Sequence, residues 1–178
     1  MIETLSAPGV ASGEGSWERF EALYRSSRSD LYAYVATLLR DPAAAEDVTA
    51  LAFERAYRRR RTFDRRRGVE RAWLFGIARN AALDELRRRK RLARLAVEPD
   101  DPAADVADEG AEVTLRRTAV RAALRKLSAR EREIVALKFH AGMSNAEIAG
   151  LLGVSESNAG TLLHRTMEKL RKECDATT

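Results

Sequence analysis

The fold is decided by the stretch SNAEIAGLLGVSESNAGTLLHRTMEKLR, residues 144–171, which reads as two helices joined by a tight turn. Ser144 is followed three residues later by Glu147, and this spacing is a capping box that starts a helix. Gly153 stands where that helix must end in a left-handed residue. Apolar residues then recur at helical spacing on the inner faces of both helices: Ile148, Ala149, Leu151, Leu152, Ala159, Leu163, Met167 and Leu170.

The second of these helices has an outer face that is polar and partly basic. A helix of this shape fits the DNA major groove, where polar side chains reach base edges and cations reach phosphates. A plain helical hairpin inside a bundle is the alternative. Gly160 costs about 1 kcal/mol against Ala inside a helix, which either a close DNA backbone or a tolerated defect explains. The outer face comprises Glu156, Asn158, Thr161, His164, Arg165, Glu168 and Lys172.

Charge is sorted into blocks along the 178 residues. Residues 1–54 carry 4 basic and 9 acidic side chains, whereas residues 55–91 carry 15 basic and 4 acidic ones. Residues 98–112 carry 7 acidic side chains and no basic one, and residues 113–178 carry 12 basic and 7 acidic ones. Two separate positive blocks fit a polyanionic partner that is touched in two places.

Helical periodicity predicts an all-α fold of two small helical domains joined by a flexible acidic linker, with the helix-turn-helix in the C-terminal domain. One helical stripe begins at Trp17 and a second repeats around Leu31. Asp41-Pro42 starts the next helix, the segment from Arg58 to Gly68 reads as a loop, and a further helix runs over 70–91. The predicted boundaries are a disordered tail at 1–16, domains at 17–91 and 113–173, a linker at 92–112 and a tail at 174–178.

Arginine runs alternate with aromatic residues in the first domain. Arginine follows phosphates, and aromatic rings stack on unpaired bases for about 1–3 kcal/mol each. The pattern therefore favours single-stranded or opened DNA over intact duplex, although each run alone could be a solvated face and each ring a core residue. The residues concerned are Arg58–Arg61, Arg65–Arg67 and Arg87–Arg91, with Phe63, Trp73 and Phe75 between them.

The sequence offers no chemistry for catalysis. It has no phosphate-binding glycine loop, no HExxH, no CxxC pair and no nucleophile elbow. We therefore expect no catalytic residue, cofactor, metal or small-molecule substrate, and we interpret His140 as a helix-end residue. Cys174 is the only cysteine, and neither a signal peptide nor an apolar membrane span is apparent, so a cytoplasmic protein without membrane insertion is expected. A helix-turn-helix regulator that works without polymerase and an arginine-rich RNA-binding protein are the rival interpretations.

Three strings resemble a known family. The first domain contains LYAYVATLLRDPAAAEDVTALAFERAYRR and RAWLFGIARNAALDELRRRKR, which are similar to region 2 of the extracytoplasmic-function (ECF) sigma factors of the sigma-70 family. The second contains LRKLSAREREIVALKFHAGMSNAEIAGLLGVSESNAGTLLHRTMEKLRK, which is similar to region 4 of the same group. The resemblance covers roughly residues 17–91 and 113–173. It implies a transcription initiation factor whose partners are core RNA polymerase, promoter DNA and an anti-sigma factor.

The resemblance also implies a role for particular residues. Family members usually carry Gln after Thr49, where this chain has Ala50, so one polar polymerase contact is expected to be missing. Many members carry basic residues where this chain has Gly160 and Leu162, so a weaker electrostatic grip or a different base preference at −35 is expected. The implied core-polymerase contacts are Asp41, Asp47, Val48, Thr49 and Phe53. The implied −10 contacts are Phe63, Arg65, Arg66, Trp73, Arg79, Asn80, Arg87 and Arg88. The implied −35 contacts are Ser155, Asn158, Thr161, His164, Arg165 and Lys169.

Overall fold

The computed structural model describes residues 11–64, 66, 68–95 and 119–176. In the N-terminal module, helix α1 spans Ala11–Leu39, α2 Pro42–Arg59 and α3 Glu70–Leu95, with a turn of 3₁₀ helix at Arg60–Thr62. In the C-terminal module, residues 119–125 are helical. They precede the helices α4 (Ala129–Phe139), α5 (Asn145–Leu152) and α6 (Glu156–Asp175). No strand occurs in these described ranges, and the predicted all-α class is confirmed.

The turn between α1 and α2 is built from two consecutive residues. Arg40 has a positive φ of 54°, which closes α1, and its N–H donates to Ala36 O at 2.9 Å. Asp41 then caps α2, because its side chain accepts from the Ala44 N–H at 3.1 Å. Pro42 follows at the first helical position, where its missing N–H costs nothing. The predicted start of this helix is confirmed.

The core of the N-terminal module lies where its three helices meet. Leu31, Tyr34 and Val35 of α1 are fully buried. Alanines on the facing sides of α2 and α3 let the helices approach closely, and Leu74 and Phe75 fill the space between them. The alanines concerned are Ala45, Ala52, Ala56, Ala78 and Ala82. Burial of Leu74, Ile77, Ala78 and Ala81 agrees with the periodicity of the sequence.

Local capping signals set the ends of the C-terminal helices. Ser128 with Glu131 and Ser144 with Glu147 both form complete capping boxes, as the sequence indicates. Gly142 and Gly153 both have φ 67°, a left-handed conformation that glycine adopts without steric cost. His140 is the C-cap of α4, as expected. These signals orient α5 and α6 as a helix-turn-helix.

Several predicted boundaries are wrong. The helical stripes at Trp17 and Leu31 belong to one continuous helix, since Ser26 Oγ donates to Leu23 O at 3.2 Å and the serines between the stripes do not break it. Helix α1 also begins at Ala11, inside the expected tail, because extending a formed helix adds one hydrogen bond per residue. Helix α2 and its 3₁₀ turn take up the start of the expected loop, and α3 extends to Leu95. Most of the predicted linker lies outside the described residues, as do residues 1–10.

Candidate nucleic-acid interface

The exposed face of α6 is set by the turn before it and by the buried residues behind it. The Ser155 hydroxyl accepts from the Asn158 N–H at 3.2 Å, so this side chain caps the helix. Ala159 and Thr166 are buried on the inner side, and Thr166 Oγ1 donates to Leu162 O at 2.7 Å. All seven residues expected on the outer face are exposed: Glu156, Asn158, Thr161, His164, Arg165, Glu168 and Lys172.

Most of the predicted −35 residues therefore share one solvent-facing surface. Thr161 Oγ1 donates to Ser157 O at 2.9 Å, which leaves its oxygen and methyl group on the surface. His164 Nε2 lies 3.6 Å from Glu168 Oε1, one turn further along. Arg165 is exposed beside them. Polar groups and two cations, Arg165 and Lys172, on a single helix face are the side-chain types that contact base edges and phosphates in a major groove.

Two of the residues expected at −35 have structural partners instead. Lys169 Nζ lies 3.0 Å from Glu131 Oε2, which ties α6 to the first turn of α4. The backbone N–H of Ser128 and then Lys169 lower the pKa of Glu131, so the carboxylate is charged and holds the lysine. Ser155 is occupied as the helix cap. The structure thus directs Lys169 toward its own module, away from the outer face.

Gly160 lies where α6 crosses α5. A Cβ added at this glycine would meet Asn145 Nδ2 at 3.4 Å, which is ordinary van der Waals contact. The inner neighbour of Gly160 is therefore the first residue of α5. The glycine is not sterically required by the fold of the described residues.

The predicted −10 surface has an aromatic pair at its centre. The rings of Phe63 and Trp73 have centroids 5.2 Å apart and planes inclined by 43°. The backbone N–H of Trp73 donates to Val69 O at 3.1 Å, so the end of the loop before α3 is hydrogen-bonded to the first turn of that helix. Val69 is exposed, and Gly68 has φ 145°, a conformation that side chains rarely adopt. Phe75, in contrast, is a fully buried core residue.

The basic residues around this pair differ in their environment. The Arg66 N–H donates to Asp64 Oδ1 at 2.9 Å in the loop, while Arg65 lies outside the described residues. Asn80 is exposed. Arg87 and Arg88 are largely exposed and pair with Asp84 and Glu85 one turn earlier. The Arg87–Asp84 pair is exposed on both sides and contributes about 0–1 kcal/mol, so Arg87 stays available to phosphates.

Arg79 faces the other module. Its Nε lies 2.6 Å from Glu133 Oε1 of α4, and both side chains are largely buried. Tyr34 Oη donates to the same carboxylate oxygen at 3.3 Å. Neither Glu133 nor Tyr34 is among the site residues expected from the sequence. The signal available in the sequence was an acid, Glu133, four residues before the core residue Leu137 and therefore on the apolar face of its helix.

The residues expected to contact polymerase lie on α2 in two environments. Val48, Thr49 and Phe53 are buried in the module, so their side chains shape the helix from within. Asp41 caps α2 and lies 2.8 Å from Arg89 Nη2, and the Ala44 N–H lowers its pKa most. Asp47 is exposed. Four of these five positions therefore lie on α2 and Asp41 caps it, and the structure leaves mainly Asp47 open to a partner.

A groove of about 890 Å³ runs beside α2. Tyr24 and Tyr32 of α1 line one side of it, and Glu46 and Phe53 of α2 line the other. The Thr49 hydroxyl also lines it and has no hydrogen-bond partner among the described residues. Glu46, Asp47 and Ala50 extend this surface on the exposed side of α2.

Within the described ranges, no cluster of three or more metal-ligating side chains occurs. The helices described there also include none long and apolar enough to cross a membrane. The described residues form three surfaces: a polar helix face, a basic surface around two half-buried rings, and a groove. It defines a class of protein, a two-module helical factor for DNA with a helix-turn-helix in its second module.

Comparisons with known proteins identify the family. Sigma-70 region 2 matches residues 23–92, and Sigma-70, region 4 matches residues 117–170. The ECF RNA polymerase sigma factor SigL of Mycobacterium tuberculosis is 33% identical over 166 residues, covering 92% of each chain. SigX of Bacillus subtilis is 31% identical and covers 89% of this chain and 84% of its own. The sigma factor RpoE in complex with the anti-sigma factor NepR from Bartonella quintana has the same fold, with a TM-score of 0.70 at 22% identity over 89% of this chain and 98% of that one.

This chain belongs to the ECF RNA polymerase sigma factors of the sigma-70 family. It is thus a transcription initiation factor that works with core RNA polymerase at promoters. Family membership decides against the rival interpretations, because neither a polymerase-independent regulator nor an RNA-binding protein accounts for both the region 2 and the region 4 match.

Proposed function

We propose that this sigma factor reads the −35 element with α6 and opens and holds the −10 element with the surface between Phe63 and Asn80. The observation that carries the first part is the outer face of α6, whose polar residues are all exposed while Ala159 and Thr166 are buried behind them. The outer residues Asn158, Thr161, His164 and Arg165 would reach base edges or phosphates. Ser155 and Lys169 would act indirectly, by holding the helix in position.

At the −10 element, the Phe63–Trp73 pair would stack with an unpaired base. Opening a duplex costs a few kcal/mol per flipped base, and aromatic stacking offsets it by about 1–3 kcal/mol. The arginines around the pair would neutralise phosphates of the unpaired strand, and Asn80 has polar groups for a base edge. The full set is Phe63, Arg65, Arg66, Trp73, Arg79, Asn80, Arg87 and Arg88.

Core polymerase would bind the surface formed by α2 and the neighbouring groove. Asp47 supplies an exposed acid there, while Val48, Thr49 and Phe53 hold the helix against α1 and α3. Asp41 fixes the start of α2 through its capping bond and its pair with Arg89. We further propose that the protein acts in the cytoplasm, catalyses no reaction itself and is regulated by an anti-sigma factor. The similar sigma factor RpoE, which was solved with one, supports the last point.

Reconstitution with purified core polymerase tests the proposal. The protein should form a holoenzyme that gives run-off transcripts from a subset of a genomic promoter pool. Core polymerase without it should give none of these transcripts. A chain that binds promoter fragments but never associates with core polymerase would overturn the proposed polymerase surface.

The −10 assignment has its own test. We expect Trp73→Ala to reduce the yield of open complexes, measured by permanganate reactivity of unpaired thymines, at least about tenfold through the loss of stacking. Holoenzyme formation should change much less. Leu92→Ala is the control, because Leu92 is a large apolar side chain of the same helix that lies exposed at its far end, whereas Trp73 is half-buried against the core. Equal loss of polymerase binding and of opening would mean that Trp73 only stabilises the module.

A further inference from the structure

The two modules pack directly against each other. Glu133 of α4 is 8% exposed and lies between α1 and α3 of the N-terminal module. It accepts hydrogen bonds from Arg79 Nε at 2.6 Å and from Tyr34 Oη at 3.3 Å. Tyr34 is fully buried, with its ring centroid 5.4 Å from that of Phe75. A carboxylate buried between two modules thus has a cation and a hydroxyl as partners, both from the opposite module.

This arrangement depends on each of its members. A buried charge that loses its partner is destabilising, because its desolvation is no longer offset. Burial and the charge of Glu133 raise the pKa of Tyr34, so the phenol keeps its proton and remains a donor. The contact is therefore specific for a negatively charged side chain at position 133.

Arg71 makes a second connection between the modules. Its Nε donates to Ala141 O at 2.8 Å and its Nη2 to His140 O at 2.9 Å, both at the C-terminal end of α4. Within its own module, Nη2 also donates to Asp30 Oδ2 at 2.7 Å and Nη1 to Ser27 Oγ at 3.0 Å. A cation at this end of a helix is favoured by the helix dipole. The guanidinium therefore fastens the end of α4 to α1 and α3.

We propose that these contacts form a closed state, in which Glu133 occupies Arg79 and the C-terminal module competes with the −10 strand for the N-terminal module. The competition rests on the proposed function, since it takes Arg79 as a −10 contact. A carboxylate paired with a DNA-contacting arginine stands in for a phosphate of the unpaired strand. The apparent affinity for that strand is then reduced by the fraction of molecules that are open.

In the closed state, one of the two DNA surfaces is available and the other is occupied. The outer face of α6 is exposed while Arg79 is occupied. Duplex recognition by α6 is therefore possible before the modules separate, and single-strand binding at Arg79 is possible only afterwards. Occupation of Arg79 by Glu133 would keep the free factor from binding single strands without polymerase.

The test compares the full chain with two variants that break the contact from opposite sides. Glu133→Gln keeps the shape but removes the charge, and Arg71→Gln opens the second connection without touching Arg79. Asp175→Asn is the matched control, because it removes the same charge from an exposed residue of the same module, at the end of α6 and outside its DNA-facing surface. Small-angle X-ray scattering measures the radius of gyration, fluorescence anisotropy measures binding of a −10 single-stranded oligonucleotide, and circular dichroism confirms helix content.

We expect both test variants to increase the radius of gyration and to bind the oligonucleotide about tenfold more tightly, a coupling of ordinary size. Asp175→Asn should do neither. An unchanged radius in both variants overturns the closed state. An increased radius with unchanged oligonucleotide affinity overturns the competition and also removes Arg79 from the −10 site, which leaves polymerase binding and transcription as separate measurements. Tighter binding by Glu133→Gln alone, with an expanded Arg71→Gln, reduces the effect to local charge and contradicts the proposal.

Discussion

Arg165 and Lys169 stand four residues apart on α6, yet the two cations have different environments. Arg165 is exposed on the outer face. Lys169 reaches back to Glu131, with Nζ 3.0 Å from a carboxylate oxygen. A helix turns by about 100° per residue, so side chains four residues apart point in similar directions. The two cations nevertheless have different partners. Sequence spacing alone groups both as DNA contacts, and only packing against α4 separates them.

These two residues give a prediction with its own internal control. Arg165→Ala should weaken holoenzyme binding to the −35 duplex by about 1–3 kcal/mol if the guanidinium reads a base edge. Lys169→Ala should leave that binding nearly unchanged and lower the thermal stability of the protein, because it breaks the contact between α6 and α4. Gel-shift titrations on matched and scrambled −35 sequences measure the first effect, and thermal unfolding measures the second. A larger binding loss for Lys169→Ala would contradict the division of roles.

Helix α5 is the shortest labelled helix of the described structure, and its ends are fixed by local chemistry. Ser144 and Glu147 satisfy each other's backbone N–H groups at its start, and Gly153 ends it in a left-handed conformation. Short helices depend on such caps, because few internal hydrogen bonds offset the entropy of ordering them. All three positions could be identified from the sequence, since capping is a relation between residues three or four apart.

Removal of this cap should therefore affect the element that orients α6. We expect Ser144→Ala to cost about 1 kcal/mol of folding free energy, measured by urea denaturation. Ser157→Ala is the control, because Ser157 is an exposed serine inside α6 that caps no helix. A loss no larger than that of the control would show that tertiary packing alone holds α5.

A cluster of charges joins α3 to the start of α2. Arg89 donates to Glu85 Oε1 at 2.8 Å and to Asp41 Oδ2 at 2.8 Å, and Asp41 is the cap of α2. Hydrogen bonds from Arg88 and then Arg89 lower the pKa of Glu85 to about 2. The side chain of Glu85 is only 15% exposed. Solvent therefore screens its ion pairs with the two arginines less than it screens the exposed Arg87–Asp84 pair.

The direction of this shift predicts how stability depends on pH. A carboxylate whose pKa is lowered in the folded state contributes stability above its unfolded pKa of 4.5 and loses it as the pH falls toward about 2. Glu85→Gln should therefore have a lower free energy of unfolding at neutral pH. That free energy should also decrease less than in the unsubstituted protein as the pH falls from 4.5 toward about 2. Urea titrations at successive pH values measure both effects. Asp84→Asn, at a neighbouring carboxylate that is 60% exposed, is the control, and an equal flattening there would refute the assignment to Glu85.

At the scale of the whole molecule, the sequence predicted what depends on neighbours along the chain. The helix-turn-helix, its outer face, the caps and the apolar stripe of α3 all follow from spacings of a few residues. The contacts of Arg71 and Arg79 with α4 join residues 54 to 70 positions apart, and no local pattern indicates them. For the same reason, family resemblance implied that Val48 and Phe53 contact polymerase but did not show that packing within the N-terminal module buries them.

Salt dependence tests whether both modules engage a promoter together. The basic blocks at 55–91 and 113–178 lie in different modules, so each should release counterions from its own stretch of DNA. The logarithm of the binding constant should fall linearly with the logarithm of salt concentration, by about 0.9 per neutralised phosphate on duplex and about 0.7 on a single strand.

Three DNA substrates turn this dependence into an additive measurement on the holoenzyme. A −35 duplex alone and a −10 fork alone should each give a partial slope, and a complete promoter should give nearly their sum. The slope depends on the number of phosphates neutralised and not on the affinity gained by tethering. Lys172→Ala, which removes an exposed cation from the outer face of α6, should reduce the slope by about one unit on the duplex and on the complete promoter, and leave the fork unchanged. If the complete promoter instead gave the slope of one part alone, only one module would be in contact with DNA in that complex. The second block of positive charge would then have to be assigned to polymerase.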